Sequence, residues 1–167
     1  MRISFISVLL AITLLPACAQ HPETITTFIL IRHAEKASDG TDDPDLKPEG
    51  VLRANKLVDM FSDTPIAAIY STNFKRTKNS VRPLAQAKEI LIEEYEAFQA
   101  DPIDAMLARH AGETILICGH SNNIPWIANL LIGTEQYSDF QDTEYNTMLI
   151  VSVVHIGKLA TSVQLKY

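Results

Sequence analysis

The sequence predicts an α/β fold: a three-layer α/β/α arrangement around a mostly parallel central sheet. Short apolar, β-branched runs alternate with longer segments whose apolar residues recur at helical spacing, the pattern of strands joined by crossover helices. Two of the helical stretches end at or just before glycine, near Gly112 and at Gly133. The last two apolar runs flank Ile156-Gly157-Lys158, so a hairpin closes the chain and puts an antiparallel edge on an otherwise parallel sheet.

In chain order, Ile25 to Ile31 reads as a buried strand, Pro48 to Phe61 as an amphipathic helix and Ile66 to Tyr70 as a short strand. Phe74 to Ala87 reads as a helix with a kink expected at Pro83, and Glu89 to Ile92 as a brief strand. Pro102 to His110 is a further helix, Thr114 to Cys118 a fully buried strand and Asn122 to Ile132 a helix. Thr147 to Val154 and Leu159 to Leu165 are the arms of the hairpin.

Composition bounds the function. A chain of 167 residues with 47% hydrophobic residues is too apolar for disorder, and it carries no collagen or solenoid repeat. Two cysteines make no disulfide framework, and Cys118, inside the run Ile115-Leu116-Ile117-Cys118, reads as a buried thiol. A net charge of −6 argues against nucleic acid as a partner, because such binding needs a basic face.

The first residues stand apart from the domain. One positive charge at Arg2, an apolar run from Ile3 to Leu15, and small residues at Ala17 and Ala19 make the layout of a secretory signal peptide. The run is too short for a permanent membrane span and stops at Pro16. Leu15-Pro16-Ala17-Cys18 resembles a bacterial lipobox, in which Cys18 is acylated; Ala17-Cys18-Ala19 also fits an A-x-A cleavage site that would release a soluble protein. The lipobox is preferred, because it gives that cysteine a use. The expected organisation is therefore a signal peptide over residues 1–17, a short linker over 18–25 and one domain over 26–167, located in the periplasm or cell envelope and tied to a bacterial membrane through Cys18. The 150 residues left after cleavage suffice for one ordinary core, burying about 70% of the unfolded surface.

Ligands of open α/β sheets collect at the carboxyl ends of the strands. The first strand ends in Arg32-His33-Ala34-Glu35-Lys36, the second in Ser71-Thr72 with Arg76 beyond, and the Thr114 strand in Gly119-His120-Ser121. Any one of Arg32, His33, Arg76 and His120 alone reads as ordinary surface or hydrogen-bonded side chain. Four delivered to one edge by three strands point to a site. Two arginines match phosphate oxygens with their forked donors, and a neutral imidazole is able to attack phosphorus. The same arginines would repel a cation, so no metal and no cofactor is expected.

These residues carry a family resemblance. Arg32-His33-Ala34, the block from Tyr70 through Arg76 to Ala85, and Gly119-His120-Ser121-Asn122-Asn123-Ile124-Pro125 resemble, in order, the signature blocks of the histidine phosphatase superfamily, the phosphoglycerate mutase-like proteins. Leu46-Lys47-Pro48-Glu49-Gly50 is similar to the helix-opening motif between them. The resemblance implies a phosphoglycerate mutase-like fold, His33 as nucleophile, and Arg32, Arg76 and His120 as the groups that hold the transferred phosphoryl oxygens. It also implies that one ring nitrogen of His33 is held by a carbonyl or carboxylate, which the sequence does not identify.

The departures bear on substrate. Ala34 stands in place of a glycine. Lys36 falls where one branch has an extra phosphate-binding arginine, and it reads equally as a point charge on the pocket or a solvated lysine. Lys47 replaces a capping threonine and leaves Asp45 as a substitute cap. Alkyl phosphates need an acid to protonate the leaving oxygen. The candidates are Glu35, beside the nucleophile, then Asp42, Asp43 and Asp45, and Glu93 and Glu94 after the third strand. Only 43 residues separate Arg76 from His120, so no cap domain is inserted there and the site is expected to be open.

The expectation is an exported, metal-independent phosphatase that hydrolyses phosphomonoesters through a phosphohistidine on His33. Its expected partners are a phosphorylated small molecule or an envelope glycan phosphate; the oligomeric state is left open. Two other readings stay open: a non-catalytic phosphate- or anionic-glycan-binding lipoprotein on the same fold, and a phosphohistidine or phosphoanhydride phosphatase without a dedicated proton donor. A phosphoglycerate mutase is disfavoured by the short, exported chain.

Overall fold

The computed structural model describes residues 24–167. The expected signal peptide over residues 1–17, Cys18 and most of the expected linker lie outside the described residues. The elements are β1 (Thr26–Arg32), α1 (Pro48–Met60), β2 (Ala68–Ser71), α2 (Lys75–Ala87), β3 (Ile92–Glu94), α3 (Ala100–Arg109), β4 (Thr114–Gly119), α4 (Asn123–Ile132), β5 (Thr147–His155) and β6 (Leu159–Lys166). The six strands form one sheet in the order β3-β2-β4-β1-β5-β6. β1, β2, β3 and β4 run parallel, while β5 pairs antiparallel with β1 and β6 with β5. The expected α/β class, with its closing hairpin, is the observed one.

The two-residue alternation of the strands divides the core. Phe28, Leu30, Ile115, Ile117, Leu149 and Val151 face one way and pack with Ile103 and Met106 of α3 and Ile124 and Ile127 of α4. Ile29, Ile31, Leu116, Cys118 and Met148 face the other way, against Leu57 of α1 and Val81, Leu84 and Ala85 of α2. β1 and β4 are covered on both faces, which is why they read as unbroken apolar runs. Each such Ile or Leu contributes roughly 1.5–3 kcal/mol on burial, against about 0–1 kcal/mol for an exposed ion pair. The two central strands are therefore the rigid frame on which the residues after them are hung. Cys118 is a free, fully buried thiol whose pKa burial pushes up.

Two local expectations are corrected. The third strand is Ile92–Glu94 rather than Glu89 to Ile92. Glu89 takes a positive φ of 56°, and its N–H and that of Ile90 return to the carbonyls of Gln86 and Ala85, so this stretch ends α2 instead of starting a strand. Asp45 does not cap α1. Lys47 is the N-cap and makes no side-chain cap bond, while the Asp45 carboxylate accepts from Leu46 N at 2.7 Å and from Asn79. α2 continues through Pro83.

Gly50, in the first turn of α1, sits so close to β1's exit that a Cβ would collide with the Glu35 carbonyl oxygen, two residues beyond His33. Alanine normally improves a helix over glycine by up to about 1 kcal/mol. Here Gly50→Ala is expected to destabilise by roughly 1–3 kcal/mol, as overpacking does. A urea midpoint that falls relative to the parent protein is the expected reading; a rise would contradict the close approach.

Candidate active site

Three parallel strands end level. Arg32 pairs with Gly119 and Ser71 with Cys118, so the residues that follow emerge side by side. The frame extends one residue further: His33 N donates to the Gly119 carbonyl at 2.8 Å. Arg32, His33, Arg76 and His120 are thereby brought together, with Arg32 only 4% and His33 only 3% exposed. The ring centroids of His33 and His120 lie 5.5 Å apart.

The holder of His33 is a backbone atom. Nδ1 lies 2.7 Å from the Ala34 carbonyl oxygen, and a carbonyl only accepts, so Nδ1 carries the ring proton. Nε2 is left as a lone pair with no hydrogen-bond partner among the described residues, the state a nucleophile requires. Ala34 is itself anchored: its N–H donates to Ser80 Oγ at 2.7 Å, and Ser80 Oγ donates to the Arg76 carbonyl at 2.7 Å. One serine of α2 thus ties the loop that carries His33 to the helix turn that carries Arg76.

Each arginine rests on an aromatic ring. The Arg32 guanidinium lies 4.2 Å over Tyr145 and donates through Nη1 to the carbonyls of Gln141 at 2.7 Å and Glu144 at 3.1 Å. The Arg76 guanidinium lies 4.3 Å over Phe74, whose ring also meets His120 edge-on at 4.9 Å. Such stacking contributes about 0.5–2 kcal/mol and, more to the point, fixes the plane of the fork. Nε of both arginines is buried with no partner. A buried donor left unpaired costs about 1–3 kcal/mol, which an arriving anion would recover.

Burial, followed by the neighbouring cations, holds both histidines neutral. The His33 pKa is lowered to about 3 and that of His120 to about 4, from an ordinary 6.5. Between those values and 6.5 the unfolded chain binds more protons than the native one, so stability rises with pH through this window and is lost as pH falls through it. Urea midpoints of the parent protein are expected to drop more steeply below pH 6.5 than those of His120→Asn, which removes one of the two groups. Parallel curves would contradict the lowered pKa of His120.

The remaining candidates separate by location. Glu35 is clamped by Arg53, with contacts of 2.7, 3.1 and 3.2 Å, and the hydrogen bonds from Arg53 hold its carboxyl below the usual range. It is kept as an ion, the opposite of what a proton donor needs. Asp43 does reach the site, 3.5 Å from Arg76 Nη1, but it also accepts the Lys75 N–H at the start of α2. The Asp42 carbonyl accepts from Arg76 at 3.4 Å. Asp45 is committed to Leu46 and Asn79, Glu93 to Arg109 and Glu94 to Lys78. Lys36 is exposed, and its charge contributes to lowering the His120 pKa. Among the described residues, no group of three His, Cys, Asp or Glu side chains is arranged to hold a metal ion.

Sequence reasoning passed over Ser80, Phe74, Thr72 and Asn123, all inside the blocks it quoted. It also passed over Tyr145, which arrives on the chain between α4 and β5, far from any of them. That segment, docked by Phe140 N on the Ser121 carbonyl, walls the Arg32 side of a site expected to be open.

Residues 28–100 match the model of the histidine phosphatase superfamily (branch 1), a stretch that holds Arg32, His33 and Arg76 but ends before His120. No curated protein sequence matches the chain significantly. Among solved structures, a phosphoglycerate mutase from Bacillus anthracis str. Sterne superposes with a TM-score of 0.66 at 12% identity, over 85% of this chain and 93% of that one. The protein histidine phosphatase SixA complexed with tungstate gives 0.65 at 14% identity, over 84% and 96%. A mycobacterial glucosyl-3-phosphoglycerate phosphatase gives 0.62 at 10% identity, over 77% and 90%. At such identities the likeness is one of fold. The likeness in sequence to the histidine phosphatase superfamily is thus confined to residues 28–100, and the structural neighbours share the fold.

Proposed function

We propose that this chain is an exported, metal-independent phosphatase that transfers a phosphoryl group from a monoester to Nε2 of His33 and then to water. One observation carries the reading: a neutral His33, locked at Nδ1 by the Ala34 carbonyl and bare at Nε2, set among two arginines whose Nε–H donors have no partner. In the first step the Nε2–P bond forms as the P–O bond to the leaving group breaks; in the second, water attacks phosphorus, the Nε2–P bond breaks to return neutral His33, and inorganic phosphate leaves with the water's oxygen, the water's proton passing to phosphate or solvent. Arg32 and Arg76 supply donors to the equatorial oxygens, where charge spreads in the transition state.

The commitment of Glu35 to Arg53 favours a second reading of the substrate. With Glu35 held as an ion, the site suits leaving groups that depart without a proton, such as phosphohistidine or phosphoanhydrides. Lys36 then serves as a point charge at the rim. Export rests on the leader over residues 1–17 and anchoring on Cys18, which labelling with radioactive palmitate in the parent and in Cys18→Ser would test.

The function itself is tested with para-nitrophenyl phosphate, with and without EDTA, followed by phosphohistidine peptides, sugar phosphates and pyrophosphate. Turnover that EDTA leaves unchanged supports the reading, and chelator-sensitive turnover would sink it. A preference for para-nitrophenyl phosphate and phosphohistidine over sugar phosphates selects the second reading of the substrate.

A further inference from the structure

A hydrogen-bond chain behind His120 has a direction dictated by its atoms. Thr77 Oγ1 lies 2.8 Å from the Thr72 carbonyl oxygen and 2.9 Å from that of Phe74. Carbonyls only accept, so the single hydroxyl proton of Thr77 goes to them. Thr72 Oγ1, 3.1 Å away, must then donate to Thr77 Oγ1. Its one proton is thereby used, and toward its third neighbour, His120 Nε2 at 2.9 Å, Thr72 Oγ1 can only accept. The proton of a neutral His120 therefore sits on Nε2. Nδ1 is a bare lone pair with no hydrogen-bond partner among the described residues. The backbone of His120 is fixed separately, its N–H donating to Asn123 Oδ1 at 2.6 Å, with Asn123 Nδ2 donating to Tyr95 Oη.

We propose that Thr72 is a positioning residue that holds His120 as the Nε2–H tautomer, so that His120 donates to a bound oxyanion only after its Nδ1 has taken up a proton. This rests on reading the quartet as a phosphoryl site. The proton arrives either on the substrate, as the ester monoanion, or from solvent alongside the dianion; an N–H bond forms at Nδ1, and the proton leaves again with the product. The groups that act on His120 set the balance. Arg76, Arg32 and Lys36 oppose protonation, as does burial, while Asp43 favours it. His33, 5.5 Å away, stays neutral and adds no charge. An oxyanion placed between the arginines adds enough negative charge to reverse that balance. Binding is then linked to one proton, and affinity for a dianion falls about tenfold per pH unit above neutrality.

Tungstate is a suitable probe, since it carries no proton of its own at neutral pH. Protein labelled with 15N-histidine is examined by two-bond 1H–15N spectra, with His33 and His120 assigned by the signals lost in His33→Asn and His120→Asn. Free protein is expected to show His33 protonated at Nδ1 and His120 at Nε2. Saturating tungstate is expected to put protons on both nitrogens of His120, and its Kd to rise about tenfold per pH unit. Thr72→Ser is expected to keep this behaviour. Thr72→Val is expected to admit the Nδ1–H tautomer and flatten the pH dependence. His120 found as Nδ1–H in the free protein, or remaining neutral with tungstate bound, would overturn the proposal while leaving the phosphoryl-site reading intact. Should Thr72→Val not fold, the parent spectra decide alone. Failure of tungstate to bind at all would overturn the site reading and this inference with it.

Discussion

His33→Asn is expected to lower kcat on para-nitrophenyl phosphate by roughly 10⁴-fold or more, the scale on which removal of a covalent nucleophile is felt. That corresponds to about 5.5 kcal/mol of transition-state stabilisation. The expectation is large because nothing near His33 substitutes for it. His120 has its Nε2 turned to Thr72 and, on the inference above, its Nδ1 protonated once an oxyanion is bound; Glu35 is bound to Arg53, and Cys118 is buried behind the strand with its thiol pKa pushed up. Asparagine keeps a side-chain donor for the Ala34 carbonyl, so the fold around the site should survive the change. The stacked arginines remain in the variant and are expected to retain substrate affinity, leaving KM within a few-fold. Rapid quenching of the parent enzyme should trap label from a 32P-labelled ester as an acid-labile, alkali-stable phosphohistidine, absent from the variant. Turnover that survives the substitution would remove His33 from the mechanism and leave an anion-binding site on the same fold.

The reasons such a site is legible in a sequence, and where legibility ends, are physical. Arg32 ends β1, and His33 and His120 directly follow β1 and β4; strands buried on both faces announce themselves by their apolar composition. A residue at the end of such a strand is at the carboxyl edge whatever the rest of the chain does, so these three are visible in the sequence, whereas Arg76 sits in α2, five residues past β2, and is placed by its motif. The holder of His33 is not, because a backbone carbonyl exists at every position and carries no residue-type signal. Tyr145 is hidden for another reason. It lies in an irregular stretch between α4 and β5, where neither period points to a face, and its contact with Arg32 depends on how that stretch folds back through Phe140 and Asn129. Glu35 misled because proximity in sequence was the only measure available. Its partner Arg53 is 18 residues away on α1, brought in by the close approach of Gly50 to the Glu35 backbone. A carboxylate beside a nucleophile is a proton donor or a structural anion according to that partner.

Arg32→Lys separates charge from geometry at the same site, and it is expected to lower kcat/KM by roughly 10²- to 10³-fold, comparable to losing one oxyanion-hole donor. Lysine keeps the positive charge, so a mechanism that needed only a cation here would lose less than about tenfold. Arg32 does more than supply charge. Its Nη1 is held by two backbone carbonyls, of Gln141 and Glu144, its plane lies on Tyr145, and its buried Nε has no partner until an anion arrives. An ammonium group cannot satisfy those two carbonyls and still present aligned donors to a phosphoryl oxygen, nor does it stack flat on a ring. The loss should appear mainly in kcat, because the fork is matched to the oxygens of the transferring group more closely than to those of the resting ester. Binding of inorganic phosphate to the variant, followed by calorimetry, should weaken by much less than kcat/KM. Equal losses in the two would mean that Arg32 only gathers the anion, and a loss under tenfold in both would mean that the carbonyl clamp and the Tyr145 stack have no part in the chemistry.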